Sequence, residues 1–153
     1  MVEPPRFELN ALPQDAYRHL LQMEGLIVQH LDLTLYHLIK LRASQINGCA
    51  FCIHMHTKDA RAAGETEERL YLLSAWRESP LYSDRERAAL AWTESVTLIA
   101  QTNVPDDVYE QVRGSFSDEE IVKLTMLVAT INAWNRIAVS FRFIHPVKAA
   151  AVA

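Results

Sequence analysis

The sequence predicts an all-α fold, and three observations predict it. Prolines stand at the edges of the apolar segments: none occurs from Gln14 to Ser79 or from Asp106 to His145. Within those stretches apolar residues recur at helical steps of three and four. No run alternates apolar and polar residues for long enough to make a strand. The pattern divides the chain into about seven helices in a single domain over residues 1–153.

The first helix is expected from about Gln14 to His30, with Ala16, Leu20, Leu21, Met23 and Ile27 on one face and Gly25 weakening its middle. Asp32 is placed to cap the second, which runs to about Gln45 and carries Leu35, Leu38, Ile39, Arg42 and Ile46 at the helical period. Asn47-Gly48 breaks it, and a third helix is expected from about Ala50 to Ala63, with Gly64 as its left-handed C-terminal residue. Thr66 is a cap for a short helix to about Trp76, and Ser79-Pro80 ends that region.

Ser83-Asp84-Arg85-Glu86 reads as a capping box: the serine oxygen takes a free N–H and the glutamate reaches back. Its helix, to about Ala100, sets Leu90, Ala91, Glu94, Thr97 and Leu98 on one face. Pro105 suits the first turn of a short helix ending near Gly114. Ser117-Asp118-Glu119-Glu120 is a second capping box and opens the longest helix, to about Phe143 ahead of Pro146. Ala149 to Ala153 reads as a small apolar tail, expected to be disordered.

Composition narrows the function. The net charge of −4 is the wrong sign for a nucleic-acid protein, which carries a basic patch or balance. No apolar run reaches the about 20 residues of a membrane span. The 4 glycines stand apart, which excludes glycine-loop nucleotide motifs, and no bound cofactor is called for. The N-terminus lacks a basic start followed by an apolar stretch, so a cytoplasmic location is expected. In that compartment the 2 cysteines, Cys49 and Cys52, read as redox or metal chemistry rather than as a structural staple.

The segment Cys49-Ala50-Phe51-Cys52-Ile53-His54-Met55-His56 carries that chemistry. On a helix beginning near Cys49, the two thiols share a face and His56 lies one turn beyond Cys52. The free N–H groups of the helix start favour a thiolate, and a neighbouring imidazole can take or return its proton. His37 sits on the preceding helix, which the Asn47-Gly48 turn folds back toward the Cys52–His56 pair. His54 points about 160° from His56 around the helix and is assigned no part in the site.

Other readings of the same residues stay open. Free cysteines are often buried core residues. Cys49, Cys52, His56 and His37 are also a zinc ligand set. Glu94 reads as a paired or partly exposed acid, and Trp92 and Trp134 as core or interface aromatics. Asn132, Asn135 and Arg136 suit a buried polar network, Arg136 equally a subunit contact.

Ser44-Gln45-Ile46-Asn47-Gly48-Cys49-Ala50-Phe51-Cys52-Ile53-His54-Met55-His56 resembles the core motif of the alkylhydroperoxidase D family, within the carboxymuconolactone decarboxylase superfamily. Ala75 to Leu81, Ala91 to Glu94 and Ile131 to Arg136 extend the resemblance, which spans Leu20 to Arg142. It implies a helical fold assembled into trimers or hexamers, and a peroxidase acting on hydroperoxides. By this resemblance Cys52 meets the peroxide and becomes a sulfenic acid, Cys49 resolves it to a disulfide, and His56 moves the proton. A dithiol, carried in the best-known members by a lipoylated protein, reduces the pair again.

The sequence departs from the family pattern at two positions. His37 stands where a relay glutamate is often found, and Phe51 where some members carry histidine. An imidazole orients His56 less well than a carboxylate, so either turnover is weak or His37 shares the relay with an acid such as Glu94. Two other functions compete: a decarboxylase-like lyase, which would not need the cysteine pair, and a non-enzymatic zinc-binding or thiol-sensing oligomer.

Overall fold

The computed structural model describes residues 3–147, so the expectation for Ala149 to Ala153 lies outside the described residues. Helices α1 (Gln14–Val28), α2 (Leu33–Ile46), α3 (Ala50–Ala62), α4 (Glu67–Leu72), α5 (Asp84–Thr97), α6 (Ile99–Thr102), α7 (Asp106–Arg113) and α8 (Asp118–Phe141) follow in order. Short 3-10 turns precede α1 and follow α4. The described residues contain no strand, so the fold is all-α as expected.

Helix α2 is central, packed against α3, α5 and α8. Every residue from Leu35 to Leu41 is buried, so all its faces are covered. Leu35 and Ile39 join Trp92 of α5 and Leu124, Leu127 and Val128 of α8 in one core. Leu38 and Leu41 face the other way, into a second core with Ala60, Leu73, Trp76 and Leu90. Periodicity alone had marked one apolar face. The second core exists because α3 and α4 fold across the opposite side, and that burial takes His37 and Lys40 with it.

Caps behave as local chemistry requires. Asp32 accepts the Leu35 N–H at 3.1 Å, and both serine boxes close, at Ser83 with Glu86 and at Ser117 with Glu120. Pro105 occupies the N-cap of α7, one place before the first turn. The long helix expected from Ser83 breaks at Leu98: the Thr102 hydroxyl donates to the Ser95 carbonyl at 2.7 Å, a side-chain bond that diverts the chain. Three helices end in the same way. After α2, Gly48 N–H reaches the Gln45 carbonyl and Cys49 N–H the Ser44 carbonyl. Gly64 and Glu65 repeat these bonds after α3, and Arg142 and Phe143 after α8. Gly48 and Gly64 hold the left-handed position at φ 65° and 97°. Arg142 does so at φ 56°, and ends α8 two residues before the expected Phe143.

Candidate functional site

The turn at Gly48 starts the site. Its Cys49 is at once the last residue of the α2 terminus and the N-cap of α3, where Sγ accepts the Cys52 N–H at 3.3 Å. The structure joins Cys49 and Cys52 in a disulfide, with Cα atoms 5.4 Å apart. α8 holds the turn: Asn47 Nδ2 donates to Asn135 Oδ1 at 2.9 Å and to Asn132 Oδ1 at 3.0 Å. Asn135 in turn donates to Ser44 Oγ at 3.0 Å, and Asn132 to Thr97 Oγ1 at 3.1 Å. Arg136 joins through Asn132 Oδ1 at 2.9 Å, so the polar network expected on this helix is present.

A cavity of about 440 Å³ opens over Cys52 and His56. Its walls are mostly apolar, from Leu21, Phe51, Met55, Trp134 and Phe143. Its polar side is a cluster about Glu24 of α1. That carboxylate accepts the Tyr36 hydroxyl at 2.6 Å and Trp134 Nε1 at 3.0 Å, and it is ion-paired with Lys40. Lys40 Nζ also donates to the Tyr36 oxygen at 3.0 Å. Burial pushes the Lys40 ammonium down to about 8, against the attraction of Asp59, and pushes the Tyr36 hydroxyl up to about 12.

His56 is 2% exposed and its Nε2 has no hydrogen-bond partner among the described residues. Burial, then the charges of Lys40 and His37, push its pKa down to about 3, so the ring is neutral. In this oxidised state no negative sulfur faces it; a Cys52 thiolate would raise its basicity again by opposite-charge attraction.

The structure thus places Cys52 and His56 on one cavity wall, with Cys49 behind the disulfide. His37 is buried beside them but does not line this cavity. Its ring meets that of Tyr36 edge-on at 5.3 Å, and its Nδ1 is without a partner. Burial lowers its pKa despite Asp59. Glu94 is elsewhere: it accepts Arg42 Nε at 2.7 Å and Trp76 Nε1 at 2.8 Å and pairs with Arg77. A relay shared by His37 and Glu94 has no support in this geometry. Sequence reading passed over Glu24, Tyr36 and Lys40. The one available signal was Lys40 between Ile39 and Leu41, a charge inside an apolar helical run. His54 stacks on His145, ring centroids 4.6 Å apart. Among the described residues, no three His, Cys, Asp or Glu side chains stand together so as to hold a metal ion.

Comparison with known proteins decides the family. The model of the carboxymuconolactone decarboxylase family matches residues 14–95, which include the whole thiol segment. The chain belongs to this family. Its alkylhydroperoxidase D-like character is supported by a crystal structure from Agrobacterium tumefaciens, of a protein of unknown function provisionally assigned to antioxidant defence as AhpD. That structure is 48% identical, covers 95% of this chain and all of its own, and superposes with a TM-score of 0.91. The uncharacterized protein YdfG of Bacillus subtilis is 50% identical over 110 residues, 72% of this chain and 75% of its own. An uncharacterized peroxidase-related protein from Silicibacter sp. TM1040 is 20% identical with a TM-score of 0.77, over 88% of this chain and 72% of its own. At that identity the likeness is one of fold. Among the described residues of this family member, no helix is long and apolar enough to cross a membrane.

Proposed function

We propose that this family member is a thiol-dependent hydroperoxidase that cycles Cys49 and Cys52 between dithiol and disulfide. The observation that carries the reading is a bonded cysteine pair on the wall of an apolar cavity, beside a buried neutral imidazole with a free nitrogen. The Cys52 thiolate attacks a peroxide oxygen, the O–O bond breaks, and Cys52 becomes a sulfenic acid as an alcohol leaves. The Cys49 thiolate then attacks the Cys52 sulfur, water leaves, and the disulfide forms. His56 takes the thiol proton and returns it to the leaving oxygen; its burial makes the imidazolium short-lived. We assign the carboxylate side of the relay to Glu24, which with Tyr36 and Lys40 forms the polar side of the same cavity, in place of His37 at the position the family resemblance implies.

The cavity size and lining support an organic hydroperoxide as substrate. A dithiol, free or on a lipoylated protein, is the reductant, and a homo-oligomer, trimer or hexamer, is the assembly. The test is oxidation of the reduced protein by cumene hydroperoxide, followed by thiol titration. Wild type loses two thiols, Cys52→Ser does not react, and Glu24→Gln and His56→Asn react more slowly. Turnover retained in Cys52→Ser overturns the assignment. Stoichiometric zinc in freshly purified reduced protein would favour the zinc-binding reading instead.

A further inference from the structure

The two cysteines line different cavities. Cys52 lines the 440 Å³ cavity and Cys49 does not; Cys49 lines a second cavity of about 310 Å³ and Cys52 does not. Phe51, Ala138 and Phe143 line both, so they form the partition between them. The Phe51 and Phe143 rings meet edge-on at 5.6 Å, and they pack against the cluster of Cys49, Cys52 and Ala138. The second cavity is walled by the α3 start and the α8 end, with the Arg142–Glu3 ion pair among its lining residues. The relay groups Glu24, Tyr36, Lys40 and His56 all belong to the first cavity.

Resting on the redox reading above, we propose that the two half-reactions use different entrances: the hydroperoxide reaches Cys52 through the larger cavity, and the dithiol reductant reaches Cys49 through the smaller one. The geometry of disulfide exchange supports this division. An attacking thiolate approaches one sulfur from the side away from the other, which becomes the leaving group. A reagent in the second cavity meets Cys49 alone, so Cys52 leaves into the cavity that holds Lys40 and His56. The one contact to a sulfur, the Cys52 N–H on Cys49 Sγ, stabilises a Cys49 thiolate and so opposes this order, while Lys40 only shares the first cavity with Cys52. The order therefore rests on access. Cys49 is 1% exposed, so the attacking group must be a slim thiol arm rather than a flat protein surface.

The step balances. The first reductant thiolate bonds to the Cys49 sulfur as the Cys49–Cys52 bond breaks and its electron pair passes to Cys52. The second reductant thiol displaces Cys49. The dithiol ends as a disulfide, two electrons enter the protein, and its two protons end on Cys49 and Cys52.

Two exposed positions test the division. Val139, 49% exposed, lines only the second cavity, and Met55, 39% exposed, lines only the first. Stopped-flow measurements follow reduction of the oxidised protein by dihydrolipoamide, and separately oxidation of the reduced protein by cumene hydroperoxide. Val139→Trp is expected to slow reduction about tenfold or more and leave oxidation within about twofold, and Met55→Trp to do the reverse. Circular dichroism confirms that both variants are folded, and Ala50→Trp blocks the second cavity from its other wall should Val139→Trp fail to fold. Equal effects of a variant on both half-reactions, or no effect of either second-cavity variant on reduction, overturn the two-entrance proposal. A wild-type protein whose disulfide forms and is reduced, but which ignores hydroperoxide, instead overturns the peroxidase reading.

Discussion

His56 gives stability a slope against pH. Its imidazole, near 6.5 in the unfolded chain, is held at about 3 by burial and then by Lys40 and His37. Its folded pKa is depressed, so its contribution is complete above about pH 6.5 and is lost as pH falls toward 3. In that window the unfolded chain binds a proton that the folded chain refuses. Relative to about pH 8, the loss is about 1.4 kcal/mol near pH 5.5 and about 2.7 kcal/mol near pH 4.5. A domain held by about 5–15 kcal/mol shows such losses clearly. Urea denaturation of oxidised wild type and His56→Asn at these pH values isolates the residue, because carboxylates titrate in both proteins and cancel in the difference. The lowered pKa of His37 adds a parallel slope that stays in the variant. The wild type should lose about 1.4 kcal/mol more than the variant between pH 8 and pH 5.5. Equal losses would refute the buried, neutral histidine and with it the proton-relay assignment.

Three further outcomes are expected. Burial opposes the charge of Glu94, but hydrogen bonds from Trp76, Arg77 and Arg42 outweigh it and hold its pKa below the ordinary carboxylate value. Glu94→Gln should therefore cost about 1–3 kcal/mol in urea unfolding while peroxide-driven thiol oxidation keeps its rate; a slowed rate at full stability would return Glu94 to the relay. Asn135→Leu removes one of two acceptors of the Asn47 amide and the donor to Ser44 Oγ, which keep their bonds to Asn132 and to the Lys40 carbonyl, and should cost about 1–2 kcal/mol and speed hydrogen exchange at the Gly48 and Cys49 amides. Unchanged exchange would show that α8 does not hold the turn. Gly64→Ala forces a Cβ into φ 97° and should lower stability by about 1–2 kcal/mol in thermal unfolding, although nothing lies within 4 Å of the added atom. No change in melting temperature would count against the left-handed cap as a stabilising feature.

Local rules were enough wherever the interacting groups are a few residues apart. The two serine boxes, the Asp32 cap and the glycine stops after α2 and α3 each involve one turn of chain, and each is where the sequence puts it. The shared face of Cys52 and His56 follows from the same spacing. The end of α8 did not follow, because arginine, not glycine, takes the left-handed position. There the Arg6 N–H binds the Phe141 carbonyl and Phe143 packs on Phe51, contacts from distant parts of the chain. The carboxylate of the site was missed for a like reason. Glu24 has an ordinary place on α1, and its meaning comes from Lys40, Tyr36 and Trp134 on α2 and α8.

The sequence by itself determined an all-α chain, the positions of its helix caps and breaks, and a thiol pair at a helix start with a histidine one turn on. These depend on backbone geometry and hydrogen bonds that reach no further than a turn. Tertiary structure alone decided that α2 is buried on every side, that Lys40 and His56 lose their water, and that Glu24 rather than Glu94 shares a cavity with Cys52. It also decided that Cys52 and Cys49 line different cavities. Desolvation and cavity walls arise where separate helices meet, so no spacing along one of them could report these features.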